Sequence, residues 1–170
     1  DMQAEMVVLD DTQAALDGSW IQAAGGWAVG VGTLQNGDNP FAQGGSIVAT
    51  TSPDVTASAS FETQLPVTGT YGVNVSWSAS ADRATDARVT VMHAGGATTF
   101  HVDQRRHGST WVFLGRFDFR AGEVASVVVD NQSESGGTVS VDAVRFGGGM
   151  GMVERGAGSP PNKAPTTLRP

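Results

Sequence analysis

The chain is 170 residues long, has no cysteine and 23 glycines, and carries a formal net charge of -7 with a pI near 4.7. That length fills one domain, not two. Without cysteine there is no disulfide, thiolate metal site or thiol nucleophile, and a surplus of negative charge repels phosphate backbones, which sets nucleic acid aside as a partner.

The opening DMQAEMVVLDD lacks the basic start and apolar centre of an export signal, so any such signal is expected to have been removed or to lie upstream. No apolar run approaches the length of about 18 residues that a membrane-spanning helix needs, so no membrane partner is expected. From there the chain reads as strands. MVVLDD (6–11) opens the domain, and a long Gly/Asn-rich stretch leads to SIVATT (46–51) and ASASFETQL (57–65). In VTGTYGVNVSWSAS (67–80), Tyr71, Val73, Val75 and Trp77 share one face and Gly72, Asn74 and Ser76 the other. ARVTVMH (87–93) and TTFHVDQ (98–104) flank a Gly-rich hairpin turn. TWVFLGRFDF (110–119), EVASVVVDN (123–131) and TVSVDAVRF (138–146) complete about nine strands, with no amphipathic helix. Strands this short and evenly spaced predict an all-β fold, an antiparallel β-sandwich of jelly-roll type spanning 1–146. Residues 147–170 contain six Gly, four Pro and no aromatic residue, and read as a linker or arm.

Catalytic signatures are missing. The three histidines (His93, His101, His107) fall on different strands at spacings that match no zinc site. His93 leans inward, a ring nitrogen expected to bond a backbone carbonyl at its turn, whereas His101 faces outward. There is no G-x-S-x-G elbow, and neighbouring acids arise by chance among 17 carboxylates. The exception is Asp10, Asp11 and Asp142. In a jelly roll the first and last strands lie side by side, which would gather these three into an oxygen-rich candidate site for a structural Ca²⁺. Alternatively, Asp142 accepts backbone N–H groups at a strand edge.

Sugar recognition needs flat apolar rings and planar polar side chains. Trp77 and Trp111 are placed in the core, Trp111 on a face with Phe113, Phe117 and Phe119. Trp27, then Trp20, in the irregular 18–45 segment, are the candidate platforms. Arg83, Gln104, Arg105, Arg106 and His107 are the candidate polar partners, with Arg83 alternatively an ion-pair partner of Asp82 or Asp86 or a clamp on backbone carbonyls.

Several ordered motifs then carry a resemblance: G-x-Y-x-V-x-V-x-W at Gly69 to Trp77, R-A-T-x-A at Arg83 to Ala87, H-A-G-G at His93 to Gly96, V-x-Q at Val102 to Gln104, W-V-x-L-G at Trp111 to Gly115 and D-A-V-R-F at Asp142 to Phe146. Over about residues 7–146 the chain resembles the golvesin C-terminal-like family, also described as a xanthan-lyase-type carbohydrate-binding domain. One departure is VDQRRHGSTW, which is basic where the family more often carries Gln or Asn. The resemblance implies a non-catalytic accessory module of extracellular or cell-envelope proteins, found beside polysaccharide lyases and peptidoglycan amidases. Its expected partners are a polysaccharide or peptidoglycan and an attached catalytic domain. The competing expectation is an assembly module that packs on a partner domain or on copies of itself.

Overall fold

The computed structural model describes residues 6–24, 45–108, 111–147 and 153–154. Thirteen strands occur among them: β1 (Met6–Asp10), β2 (Ala15–Asp17), β3 (Ile21–Ala24), β4 (Gly45–Thr50), β5 (Ser58–Gln64), β6 (Gly69–Ser76), β7 (Ala87–His93), β8 (Gly96–Val102), β9 (Val112–Phe119), β10 (Val124–Asp130), β11 (Thr138–Val141), β12 (Ala143–Gly147) and β13 (Val153–Glu154). A single 3₁₀ turn, Asp11–Gln13, follows β1. The nine expected strands are present, the last of them broken at Asp142, and β2, β3 and β13 are additions too short for a period-two signal to register.

Two five-stranded sheets, β1-β12-β6-β9-β13 and β2-β5-β10-β7-β8, sandwich the core, and a small sheet β11-β4-β3 flanks them. Among the described strands all pairings are antiparallel except β13 on β9. β1 runs against β12 from Met6↔Gly147 to Asp10↔Ala143, so the first and last strands of the sandwich are neighbours. β13 adds the start of the Gly/Pro-rich tail to the edge of the first sheet.

Alternation explains the core. Tyr71, Val73 and Val75 of β6 meet Phe61 of β5, Val127 of β10, Val89 and Val91 of β7 and Phe100 of β8, every one of them buried. Edge-on ring pairs fasten the core: Tyr71–Phe119 at 5.9 Å and Phe119–Phe146 at 5.5 Å within the first sheet, and Phe100–Phe117 at 6.0 Å between the two sheets. Trp77 extends this layer as expected and is 2% exposed.

Trp111 departs from its expected face. Val73 pairs Gly115 but Asn74 pairs Phe113, so Leu114 is an extra residue in β9 and the alternation slips by one. Val112 and Leu114 therefore point inward before the bulge, and Phe117 and Phe119 after it. Trp111 is still buried, but outside the main core, with the Arg145 guanidinium 5.1 Å from its ring centroid. Burial pushes the pKa of Arg145 down to about 10.

Candidate functional site

Three loops converge at one end of the sandwich: 77–86 after β6, 103–108 after β8, and 131–137 after β10. Backbone bonds stitch them together, Ala84 N–H to the Thr138 carbonyl at 2.8 Å and Gln104 N–H to the Ala84 carbonyl at 3.0 Å. Arg83 lies at the centre, 8% exposed. Its Nε donates to the Ser78 carbonyl at 2.8 Å and its Nη1 to Thr138 Oγ1 at 2.9 Å, with Asp82 3.7 Å away. Burial lowers its pKa against the opposing charge of Asp82. Arg83 is thus a loop clamp as well as an ion-pair partner. Asp86 is engaged elsewhere: burial works to raise its pKa, and hydrogen bonds from the Ser133 and Ser135 hydroxyls and the Glu134 N–H outweigh that and hold it low.

Gln104 is 1% exposed, and its amide is spent on Ser140, so it supports the site from beneath and its head does not face solvent. Arg105, Arg106 and His107 stand above it. Asp103 Oδ1 accepts the Arg105 N–H at 3.0 Å, the turn an Asp two residues ahead favours, and its Oδ2 lies 3.4 Å from Arg106 Nε. Arg105 Nε donates to the Arg83 carbonyl at 2.9 Å, and Trp77 Nε1 donates to the Arg106 carbonyl at 3.0 Å. His107 takes φ +60, a left-handed conformation uncommon for a residue with a Cβ. A Cβ on the next residue, Gly108, would sit 2.5 Å from Ala79 N, so the loop closes tightly on its neighbour. The result is a basic tip with its backbone pinned while the Arg105 and Arg106 side chains are exposed. Neither Asp103 nor Trp77 stood out as part of the site in the sequence, although Asp103 had the turn spacing to be found.

Trp20 lies elsewhere, beside β5. It is half-buried against the core, and its Nε1 donates to the carbonyls of Asp17 and Ser58, 3.1 Å each. Trp27 lies outside the described residues. His93 does not bond a carbonyl as expected. Its Nδ1 accepts the Gly95 N–H at 3.2 Å and its Nε2 meets Thr98 Oγ1 at 2.9 Å, because the turn brings an amide, not a carbonyl, to the ring.

At the end of β1, Asp10, Asp11 and Asp142 are all buried, each offering an oxygen within 4.8 Å of the others. Burial, then the charge and hydrogen bond of Asp10, push the pKa of Asp11 up to about 7. Asp11 Oδ1 is buried with no hydrogen-bond partner. Hard oxygen donors, buried and close together, with one unsatisfied, fit a calcium-sized cation.

This architecture, with no helix beyond one 3₁₀ turn among the described residues, defines a β-sandwich of the kind used by carbohydrate-binding modules. The chain belongs to the golvesin C-terminal domain family, whose model matches residues 7–148. It is 39% identical over 93 residues to the xanthan lyase of Bacillus sp. (strain GL1), covering 54% of this chain and 10% of that protein. The structure of Paenibacillus xanthan lyase superposes with a TM-score of 0.66 at 27% identity, over 84% of this chain and 13% of the lyase. The C-terminal CBM6 of LamC from Zobellia galactanivorans superposes over 84% of this chain and 99% of its own, with a TM-score of 0.51 at 12% identity, which speaks for the fold alone. The chain thus spans about a tenth of the lyases it resembles.

Proposed function

We propose that this chain is a non-catalytic accessory module that binds an acidic bacterial polysaccharide outside the cell and holds an attached hydrolase or lyase beside it. The observation that carries this reading is the 103–108 loop. Two arginines and a histidine are displayed on a loop whose backbone is held by Trp77 and Asp103, with the Arg105 side chain itself bonded to the Arg83 carbonyl, so little ordering is left to be done on binding. A guanidinium fork suits the carboxylates of an acidic glycan, and a local positive corner on a protein of net charge -7 marks one place for such a ligand to land. Likeness to xanthan lyase supports xanthan as the first polysaccharide to try, and peptidoglycan is the second candidate.

Affinity electrophoresis through xanthan and a neutral glucan, with pull-down on peptidoglycan, tests the reading. Retardation by the acidic polymer that weakens with salt, and weakens again in R105A/R106A/H107A, is the expected outcome. Indifference of the unmodified protein to all three polymers overturns it.

The acidic cluster is proposed to hold a structural Ca²⁺ that joins β1 to the start of β12. Self-association is the second reading, supported by Met92 and Val124, exposed diagonal neighbours on the outer face of β7 and β10. Light scattering decides it, since a monomer at high concentration removes this reading.

A further inference from the structure

A cleft of about 630 Å³ opens at the other end of the sandwich, between the start of β6, the β7–β8 hairpin and the end of β9. β7 separates it from the basic loop: His93 lines the cleft, while Ala87 at the other end pairs with Val102, next to Asp103. Seven residues at about 3.4 Å each place the two features about 20 Å apart.

We propose that this cleft is a second sugar subsite that takes an uncharged pyranose unit of the same polymer. The inference rests on the polysaccharide-binding reading above. The volume falls in the range of about 300–1,000 Å³ that small-ligand sites occupy. Asp118 and Arg120 stand on its wall, a carboxylate that accepts hydroxyl pairs beside a guanidinium fork that donates to them. Their charges cancel, unlike those of the basic loop, so the site favours a neutral ring over an acidic one. Asp118 Oδ1 accepts from Thr70 at 2.6 Å, which sets the orientation of the carboxylate. Among the described residues the Arg120 side chain pairs with Glu123 at 3.8 Å, both side chains 61% exposed, a contact loose enough to give way to a ligand. Thr68 and Thr98 add neutral polar groups, and His93 is committed to Gly95 and Thr98, so its ring is fixed.

The frame of the cleft is also rigid. Ala94 N–H donates to the Asp118 carbonyl at 2.8 Å, joining the hairpin of one sheet to the last strand residues of the other. Ala121 N–H donates to Thr68 Oγ1 at 2.8 Å and fixes the adjoining turn. A cleft held open by bonds across the two sheets is prepared for a ligand before it arrives.

Two variants leave the fold's interior untouched: D118N/R120A removes the polar wall, and A97Y fills the cleft from an exposed position. Each is run beside the unmodified protein and R105A/R106A/H107A on the same xanthan, neutral glucan and peptidoglycan supports, with thermal melts as a folding check. The expected result is that D118N/R120A and A97Y each lose at least about threefold in affinity while melting normally. Joining either change to the loop triple should cost far more than either alone, because two linked contacts reinforce one another. If the unmodified protein binds and both cleft variants bind equally well, the cleft assignment is overturned and the polysaccharide reading stands. If the unmodified protein binds none of the three, both fall together.

Discussion

The side-chain amide of Gln104 is closed at both ends on the backbone of Ser140: Nε2 donates to its carbonyl at 2.9 Å, and Oε1 accepts its N–H at 2.7 Å. A side chain from one loop thus completes the hydrogen bonding of a strand 36 residues away in sequence. Replacing Gln104 with Ala strands two buried backbone groups, so Q104A should cost about 2–4 kcal/mol. Urea denaturation reads this directly, and a change below about 0.5 kcal/mol would contradict the assignment. Gln104→Glu should be at least as damaging, since it exchanges a donor for a buried charge.

Calcium should stabilise the folded chain. Three buried carboxylates lie with an oxygen each within 4.8 Å of the others, and a ligand bound only by the native state adds about 2.7 kcal/mol at a hundredfold excess over Kd. The expected outcome is a melting temperature several degrees higher in millimolar calcium than in EDTA, with D142N abolishing the difference. An identical melt in both solutions removes the ion from this site.

Two adjacent glycines should respond very differently to alanine. Gly136 and Gly137 both have positive φ, +83 and +89. A Cβ on Gly136 meets nothing within 4 Å, so G136A should cost only the left-handed penalty of about 1–2 kcal/mol. A Cβ on Gly137 would lie 2.3 Å from the Asp82 carbonyl, which accepts the Thr138 N–H at 3.0 Å. G137A must break that contact and should destabilise by clearly more than its neighbour, as denaturant midpoints will show.

His93 should make stability depend on pH. Burial depresses its pKa below the ordinary 6.5, with the charge of Asp118 pulling the other way. A folded pKa below the unfolded one means that the unfolded chain takes up the proton first. Stability from this group is therefore full above about pH 6.5, falls as the pH drops below it, and levels off beneath the folded value. Comparing H93Q with the unmodified chain across pH 5 to 8 should show a shallower slope in the variant, and an unchanged slope would refute the account.

Much of this fold was legible because alternation is a local property. Tyr71, Val73, Val75 and Trp77 declare a buried face by spacing alone, and the side-by-side placement of β1 and β12 follows from the type of sandwich. The bulge in β9 was not legible, because one extra residue at Leu114 resets the period without any mark in composition, and Trp111 moved with it. The loop end was legible only as a group of polar residues. That Arg83 would turn inward to Ser78 and Thr138, and Gln104 to Ser140, depends on which carbonyls the folded chain leaves open, and partners dozens of residues apart give no local signal. Asp118 and Arg120 gave no signal as neighbours because the cleft they line is made by the meeting of two sheets.

The antiparallel pairing of Met6 with Gly147 has a consequence for architecture on a larger scale. The start of β1 and the end of β12 lie one strand spacing apart, about 4.8 Å, before β13 takes up the other edge of the same sheet. A unit of this shape can be grafted into a surface turn of a host protein while the two cut ends stay almost where they were. Its loop ends can then be presented or exchanged as a cassette, with the host's own folding undisturbed.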